Sequence, residues 1–197
     1  MGAYYYLVAQ LPSLVYGQEP PMSSTHFRDL ARTQLSAEDA ALLVNLGLDP
    51  QPAGRSPSYA EEGGPSGCDF IDRWREWERS LRLNLARLRA ARLKREGGAP
   101  VDPPVIPADA ASAAQQALAA LDNPLEAEIL LDRSRWSAIE RLQGIAVFSR
   151  DTVYAYLLKL LILERRASFK AETGFAAYKS LYASILEHAR PGAGEST

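Results

Sequence analysis

The 197-residue chain has few of the residues that carry chemistry. One cysteine, Cys68, excludes an internal disulfide. The two histidines, His26 and His188, lie far apart and in no metal-ligand spacing with Cys, Asp or Glu, so no metal centre is expected and both read as surface side chains near helix ends. Charge of one sign is also scarce: 22 Lys and Arg stand against 24 Asp and Glu, for a formal net charge of -2. That balance supplies no overall positive field of the kind that holds nucleic acid by counterion release. The opening residues have no charged segment leading into an apolar signal core, and a cytosolic protein is expected. Long apolar runs are missing too. The longest, Val153 to Leu163, has ten apolar residues out of eleven, whereas a membrane-spanning helix takes about 17–25. A helix that is apolar nearly all round at this length forms the centre of a core or of an obligate interface.

Small-molecule motifs are equally thin. Gly63-Gly64-Pro65-Ser66-Gly67 lacks the Lys-Ser/Thr ending of a phosphate loop, follows no strand-like run and reads as linker. Cys68, just after it, has no base placed beside it by the sequence and reads as an unreactive thiol. The carboxylate groupings Glu61-Glu62, Glu38-Asp39 and Glu126 with Glu128 fall in polar or amphipathic stretches and read as solvated faces or caps. No catalytic residue, cofactor or metal is expected. The chain reads as a non-enzyme that docks onto partner proteins.

What the sequence does contain is helical periodicity, and the expected fold class is all-α: an elongated multi-helix assembly with a long helical arm. Breaker-rich stretches divide it. Pro50 to Gly67 holds eight Pro or Gly among eighteen residues, and Gly97 to Pro107 six among eleven, so 50–67 and 97–107 read as linkers. They leave an N-terminal helical segment (1–49), a long amphipathic basic helix (68–96), a C-terminal helical domain (108–191) and a mobile tail (192–197). In the first segment, Tyr4 to Ala9 is aromatic and apolar without a clear period, so strand and helix are both open there. Ser23 or Ser24 can cap one short helix, and Ser36-Ala37-Glu38-Asp39 resembles a capping box before a second.

From Asp69 to Glu96 no Pro or Gly intervenes, and Phe70, Trp74, Trp77, Leu81, Leu85 and Leu88 follow the 3-4 spacing of one helical face. The stripe is narrow, as in a coiled-coil seam. The other faces after Leu81 concentrate Arg82, Arg87, Arg89, Arg92, Lys94 and Arg95 against Glu96 alone, a basic face fit to meet an acidic protein surface, lipid head groups or water. In the C-terminal half an alanine-rich helix from Ala110 to Leu121 precedes an Asn123-Pro124 start, then a helix capped by Ser149 with Asp151 in its first turn, and a last helix carrying Phe175, Tyr178, Leu181, Tyr182, Ile185 and Leu186. Lys159, alone among the apolar residues of Val153–Leu163, must snorkel or find a partner.

Three segments together carry a resemblance. Leu125-Glu126-Ala127-Glu128-Ile129-Leu130-Leu131-Asp132-Arg133-Ser134-Arg135-Trp136 resembles the C (d) subunit of V/A-type rotary ATPases in its acidic residue, Leu-Asp and following aromatic. Val153 to Arg166 is similar to that subunit's apolar helix ending in an acidic residue and arginine, and the two occur in the family's order. The opening Tyr4-Tyr5-Tyr6-Leu7-Val8-Ala9-Gln10-Leu11-Pro12 is similar to the tyrosine-rich start of a bacterial family of unassigned role encoded within V/A-type ATPase gene clusters. The chain departs from the C subunit in length, with room for one or two helical repeats rather than about three, and its Trp- and Arg-bearing helix has no counterpart there.

The resemblance implies a non-catalytic helical subunit or assembly component of a proton- or sodium-transporting ATPase, linking rotor shaft and membrane ring. Its partners would be ATPase subunits and its place cytoplasmic, peripheral to the inner membrane, with the membrane met only through the complex and no nucleic acid. Tyr156, Lys159 and Glu164 are the expected core or contact residues, and Arg87, Arg89, Arg92 and Arg95 the expected docking face. The alternative is a stand-alone helical adaptor that self-associates through the 70–88 seam.

Overall fold

The computed structural model describes residues 4–48, 66–92, 107–120, 123–169 and 179–182. The regular structure among them is helical: α1 (Tyr5–Gln10), α2 (Ser24–Arg32), α3 (Ala37–Val44), α4 (Asp69–Arg92), α5 (Ala108–Ala119), α6 (Pro124–Gln143) and α7 (Arg150–Ser168), with residues 179–182 helical as well. The all-α class is what the chain adopts, with no strand among the described residues. The strand alternative for the opening is overturned by side-chain direction. A strand would turn Tyr5 and Leu7 to the same face, whereas the helix buries Leu7 and leaves Tyr5 and Tyr6 outside.

The helices start where their side chains can satisfy the first free N–H groups. Ser23 Oγ accepts from His26 N (3.1 Å), Ser36 Oγ from Asp39 N (3.2 Å), Asn123 Oδ1 from Glu126 N (3.4 Å) and Ser149 Oγ from Thr152 N (3.4 Å). Pro124 takes the first position of α6. At its other end α6 stops at Gly144, whose φ of 69° lies in the left-handed region and leads into the exposed connection to α7.

α7 is the centre of the packing. Val153, Tyr154, Ala155, Leu157, Leu158, Leu160, Ile162 and Leu163 are all buried, as a helix apolar nearly all round requires, and α2, α4 and α6 pack against it. α4 packs most extensively on α5, where Ala110, Ala113, Ala114 and Ala117 are buried and their small side chains allow close approach; on α4 the rings of Trp74 and Trp77 stack at 5.7 Å. The expected stripe on α4 is buried from Phe70 to Leu85, with Leu88 partly covered, but Ile71, Glu78 and Ser80 are buried beside it. The face is thus wider than a coiled-coil seam. It is filled by helices of the same chain, so self-association through 70–88 would require opening the core.

The expected linkers lie outside the described residues except for 66–67 and 107, as do the tail 192–197 and the last helix apart from residues 179–182. No described helix is long and apolar enough to cross a membrane.

Truncation at the centre should cost far more than truncation at the edge. Leu157→Ala, at a fully buried site of α7, is expected to lower stability by about 2–5 kcal/mol, and Leu125→Ala, at a residue 47% exposed, by under about 0.5 kcal/mol. Urea unfolding followed by circular dichroism reads both.

Candidate functional site

The polar residues inside the molecule are gathered into charged clusters that join helices. The largest centres on Arg135 of α6, whose side chain is only 6% exposed. Its Nε and Nη2 donate to Glu78 Oε2 and Oε1 on α4 at 3.1 and 3.0 Å, and its Nη1 donates to Asp132 Oδ1 at 3.2 Å. Arg82 donates to Glu78 Oε1 at 2.9 Å and to the carbonyl of Leu48 at 2.9 Å, and Arg165 of α7 pairs with Asp132. Two carboxylates and three guanidiniums thus tie α4, α6 and α7 together. The planar guanidinium fork meeting both oxygens of Glu78 fixes distance and rotation at once.

A second cluster surrounds Asp39, at the start of α3. Its carboxylate accepts from the hydroxyl of Tyr4, from Tyr154 Oη at 3.1 Å and from Arg150 Nη1 at 3.3 Å, while Arg150 Nη2 also donates to Gly67 O at 3.2 Å. Burial works to raise the Asp39 carboxyl, but the hydrogen bonds from Tyr4, Tyr154 and Arg150 outweigh it and hold the group below the usual carboxylate range. Burial pushes the neighbouring Cys68 thiol up, and the Asp151 carboxylate facing it at 3.7 Å pushes in the same direction. A thiol held protonated in this way is a buried packing group rather than an activated nucleophile. Trp77 Nε1 and Arg141 Nη2 both donate to Asp109 Oδ2 at 2.7 Å, joining α4 and α6 to the first turn of α5.

Of the residues expected to make contacts, three turn out to link parts of this chain. Tyr156 donates its hydroxyl to the carbonyl of Pro12 at 3.0 Å and packs on Phe27 at 4.9 Å; burial pushes the phenol up to about 12. Glu164 Oε1 accepts from the backbone N of Ser24 at 2.6 Å, placing a carboxylate on the N-terminus of α2, where the free N–H groups and the helix dipole favour it. Lys159 reaches a partner at the surface: its Nζ is 3.4 Å from Oε1 of the exposed Glu140 and 5.2 Å from the centre of the Trp136 ring. Trp136 itself donates to Glu140 at 2.8 Å.

The arginines expected to form a docking face lie elsewhere. Arg87, Arg89 and Arg92 are exposed on the last turns of α4; Arg95 lies outside the described residues. The structure therefore does not bring the two groups of expected residues together: one is internal bracing, the other a solvent-facing basic end. Among the described residues no cluster of three His, Cys, Asp or Glu is placed to hold a metal ion, and His26 is exposed on α2. Two open clefts among the described residues have volumes of about 190 and 210 Å³. The first is lined by Arg28, Asp29 and Arg32 beside Leu43, and the second by Lys159, Tyr156, Gln143 and Thr152.

Asp39, expected on a solvated face or as a cap, is instead buried and paired; Asp132 and Arg135 enter the sequence analysis only through the resemblance, and Glu78 and Arg150 do not enter it. A signal existed for some of them. Glu78 falls on the apolar face of α4 at 3-4 spacing from Trp74 and Leu81, and Asp132 and Arg135 sit three apart on the face of α6 that carries Leu131 and Trp136. Asp39 gave none, because a carboxylate in the first helical turn is accounted for by the helix dipole alone. Compared with protein-family models, curated proteins and solved structures, the chain matches none.

Two outcomes follow from the clusters. Arg135→Ala leaves Glu78 to Arg82 alone and Asp132 to Arg165 alone and is expected to cost up to about 3–5 kcal/mol, while the double change Glu78→Leu with Arg135→Met costs less than the single one because neither member of that buried pair is left without the other. Equilibrium unfolding of the three proteins measures both quantities. Asp39, whose folded pKa lies below its unfolded value, contributes its full share of stability above the ordinary carboxylate range and loses it as pH falls through the folded value. Below about pH 4 the melting temperature of the parent should drop more steeply than that of Asp39→Asn, which forgoes the contribution at neutral pH.

Proposed function

We propose that the chain is a non-catalytic helical subunit or assembly component of a bacterial V/A-type ATPase, similar to the C (d) subunit and linking rotor shaft and membrane ring. One observation carries this reading. The segments that resemble that subunit, 125–136 and 153–166, lie on adjacent helices, and Asp132 of the first pairs with Arg165 of the second, while Arg135, one turn from Asp132, ties α6 to Glu78 of α4 and Glu164 holds the start of α2. An element that passes torque must resist sliding and rotation of its helices. Directional charge pairs between helices resist both, since a shift of an ångström or two breaks them, whereas apolar contacts re-form after small slips.

The exposed Arg87, Arg89 and Arg92 supply the docking face in this reading, directed at an acidic surface of a neighbouring subunit. The complex keeps the chain on the cytoplasmic side, peripheral to the inner membrane. The chain contributes contacts and rigidity, and the chemistry of ATP belongs to other subunits.

Purification of the tagged chain from its native host, at native abundance in mild detergent, is the direct test. V/A-type ATPase subunits should co-purify and be released as ionic strength rises, because contacts between exposed charges are screened. Reversing Arg87, Arg89 and Arg92 to Glu should cut their recovery several-fold with the helical content unchanged. Recovery of the chain with no ATPase subunit would sink the proposal.

A further inference from the structure

Five of the eleven large hydrophobic residues exposed among the described residues belong to two neighbouring segments, α1 and the connection between α6 and α7. Tyr5, Tyr6, Ile145, Val147 and Phe148 are 62%, 77%, 99%, 57% and 38% exposed, and they meet at one end of the molecule. α1 and the connection between α6 and α7 are joined there by the backbone bond from Tyr4 N to Phe148 O (2.8 Å) and by the Tyr5 and Phe148 rings, 4.6 Å apart. The connection leaves α6 at Gly144, whose left-handed backbone turns the chain outward. From Gly144 to Phe148 every residue is exposed. A loop that carries Ile, Val and Phe into solvent, beside two tyrosines, is not explained by folding.

With about 150–250 Å² on each aromatic side chain, these five residues present roughly 600 Å² of mostly apolar surface, the upper end of what a monomer usually exposes in one patch, about 300–600 Å². Two such faces brought together bury about 1,200 Å², the lower limit of a specific protein interface. Most charges that flank the connection in sequence are paired within the chain, Glu140 with Lys159 (3.4 Å), Arg141 with Asp109 (2.7 Å) and Arg150 with Asp39 (3.3 Å), and the Asp151 carboxylate is turned to the Cys68 thiol (3.7 Å). A rim paired in this way has little attraction for anionic lipid head groups and offers no like-charge repulsion to a second copy.

We infer that this face is the contact between two copies of the chain, a reversible two-fold dimer in which Ile145 of each copy seats against the Tyr5 and Phe148 rings of the other. The contact is separate from the 70–88 face, which is filled internally, and from the arginine end of α4. It does not rest on the ATPase reading.

Sedimentation velocity of the full chain from micromolar to submillimolar concentration tests it. The expected result is a reversible monomer–dimer equilibrium with a micromolar Kd, as befits an interface of minimal area, weakened at least about tenfold by Ile145→Asp and by Tyr6→Glu. Both side chains are almost wholly exposed, so the circular dichroism spectrum and melting temperature should stay at parent values. A chain that remains monomeric throughout, or a dimer that both substitutions leave intact, overturns the inference. So does a monomer that floats with phosphatidylcholine–phosphatidylglycerol vesicles and loses this on Ile145→Asp, which would assign the face to lipid.

Discussion

The arrangement of the long helices depends on one ion pair, the two-pronged contact of Arg135 with Glu78, which is all but closed to water. Taking both charges out of solvent costs several kcal/mol per ion before any attraction is counted, and the pair repays this only in the single geometry in which both prongs close. Its net stabilisation is therefore small beside that of an apolar contact, and its larger effect is on alternatives. Any register of α4 on α6 that separates the two leaves each buried charge with only the partner on its own helix, Arg82 for Glu78 and Asp132 for Arg135. Asp132, with no exposure, extends the constraint to α7 by facing Arg135 and Arg165 together. The apolar faces drive the helices together, and the charges set how they meet.

Tyrosine does similar work for the N-terminal segment. Four tyrosines place ring and hydroxyl where an apolar body and one hydrogen bond are both needed. Tyr4 and Tyr154 converge on Asp39, Tyr156 holds Pro12, and Tyr16 donates to the carbonyl of Ile129 while its ring packs edge-on against Trp136 at 5.5 Å. Arg166 completes this last contact, bonding the Tyr16 hydroxyl and lying 4.6 Å from its ring centre. The short helices α1 to α3 have too few residues to be stable alone. These bonds to α6 and α7, with the capping of α2 by Glu164, are what give them fixed positions.

Helix type and helix starts were legible in the sequence because both are local. Ser23, Ser36, Asn123 and Ser149 cap within three residues of themselves, and the stripe from Phe70 to Leu85 needs only periodicity to be seen. The opening was not legible, since Tyr4 to Ala9 has no period of its own and its state is set by Leu7 reaching the core and by Tyr4 reaching Asp39, 35 residues on. The same reason hid the roles of Lys159 and Glu164. Each reads as a charge with several possible fates until the chain is folded and shows Glu140 beside one and the start of α2 beside the other. Arg87, Arg89 and Arg92 were legible as a basic face because exposure leaves a helix face as its sequence describes it.

The span of the contacts made by Tyr154, Tyr156 and Glu164 has a consequence for how the protein is born. Their partners lie 115, 144 and 140 residues earlier in the chain. On the ribosome, the N-terminal third emerges while the helix that will hold it has yet to be translated, and its apolar residues, Leu7, Phe27 and Leu43 among them, have nowhere to go. The codons of α7 thus decide the fate of α1 to α3, and a transcript cut short before α7 yields a polypeptide for chaperones and proteases rather than a smaller version of the same fold.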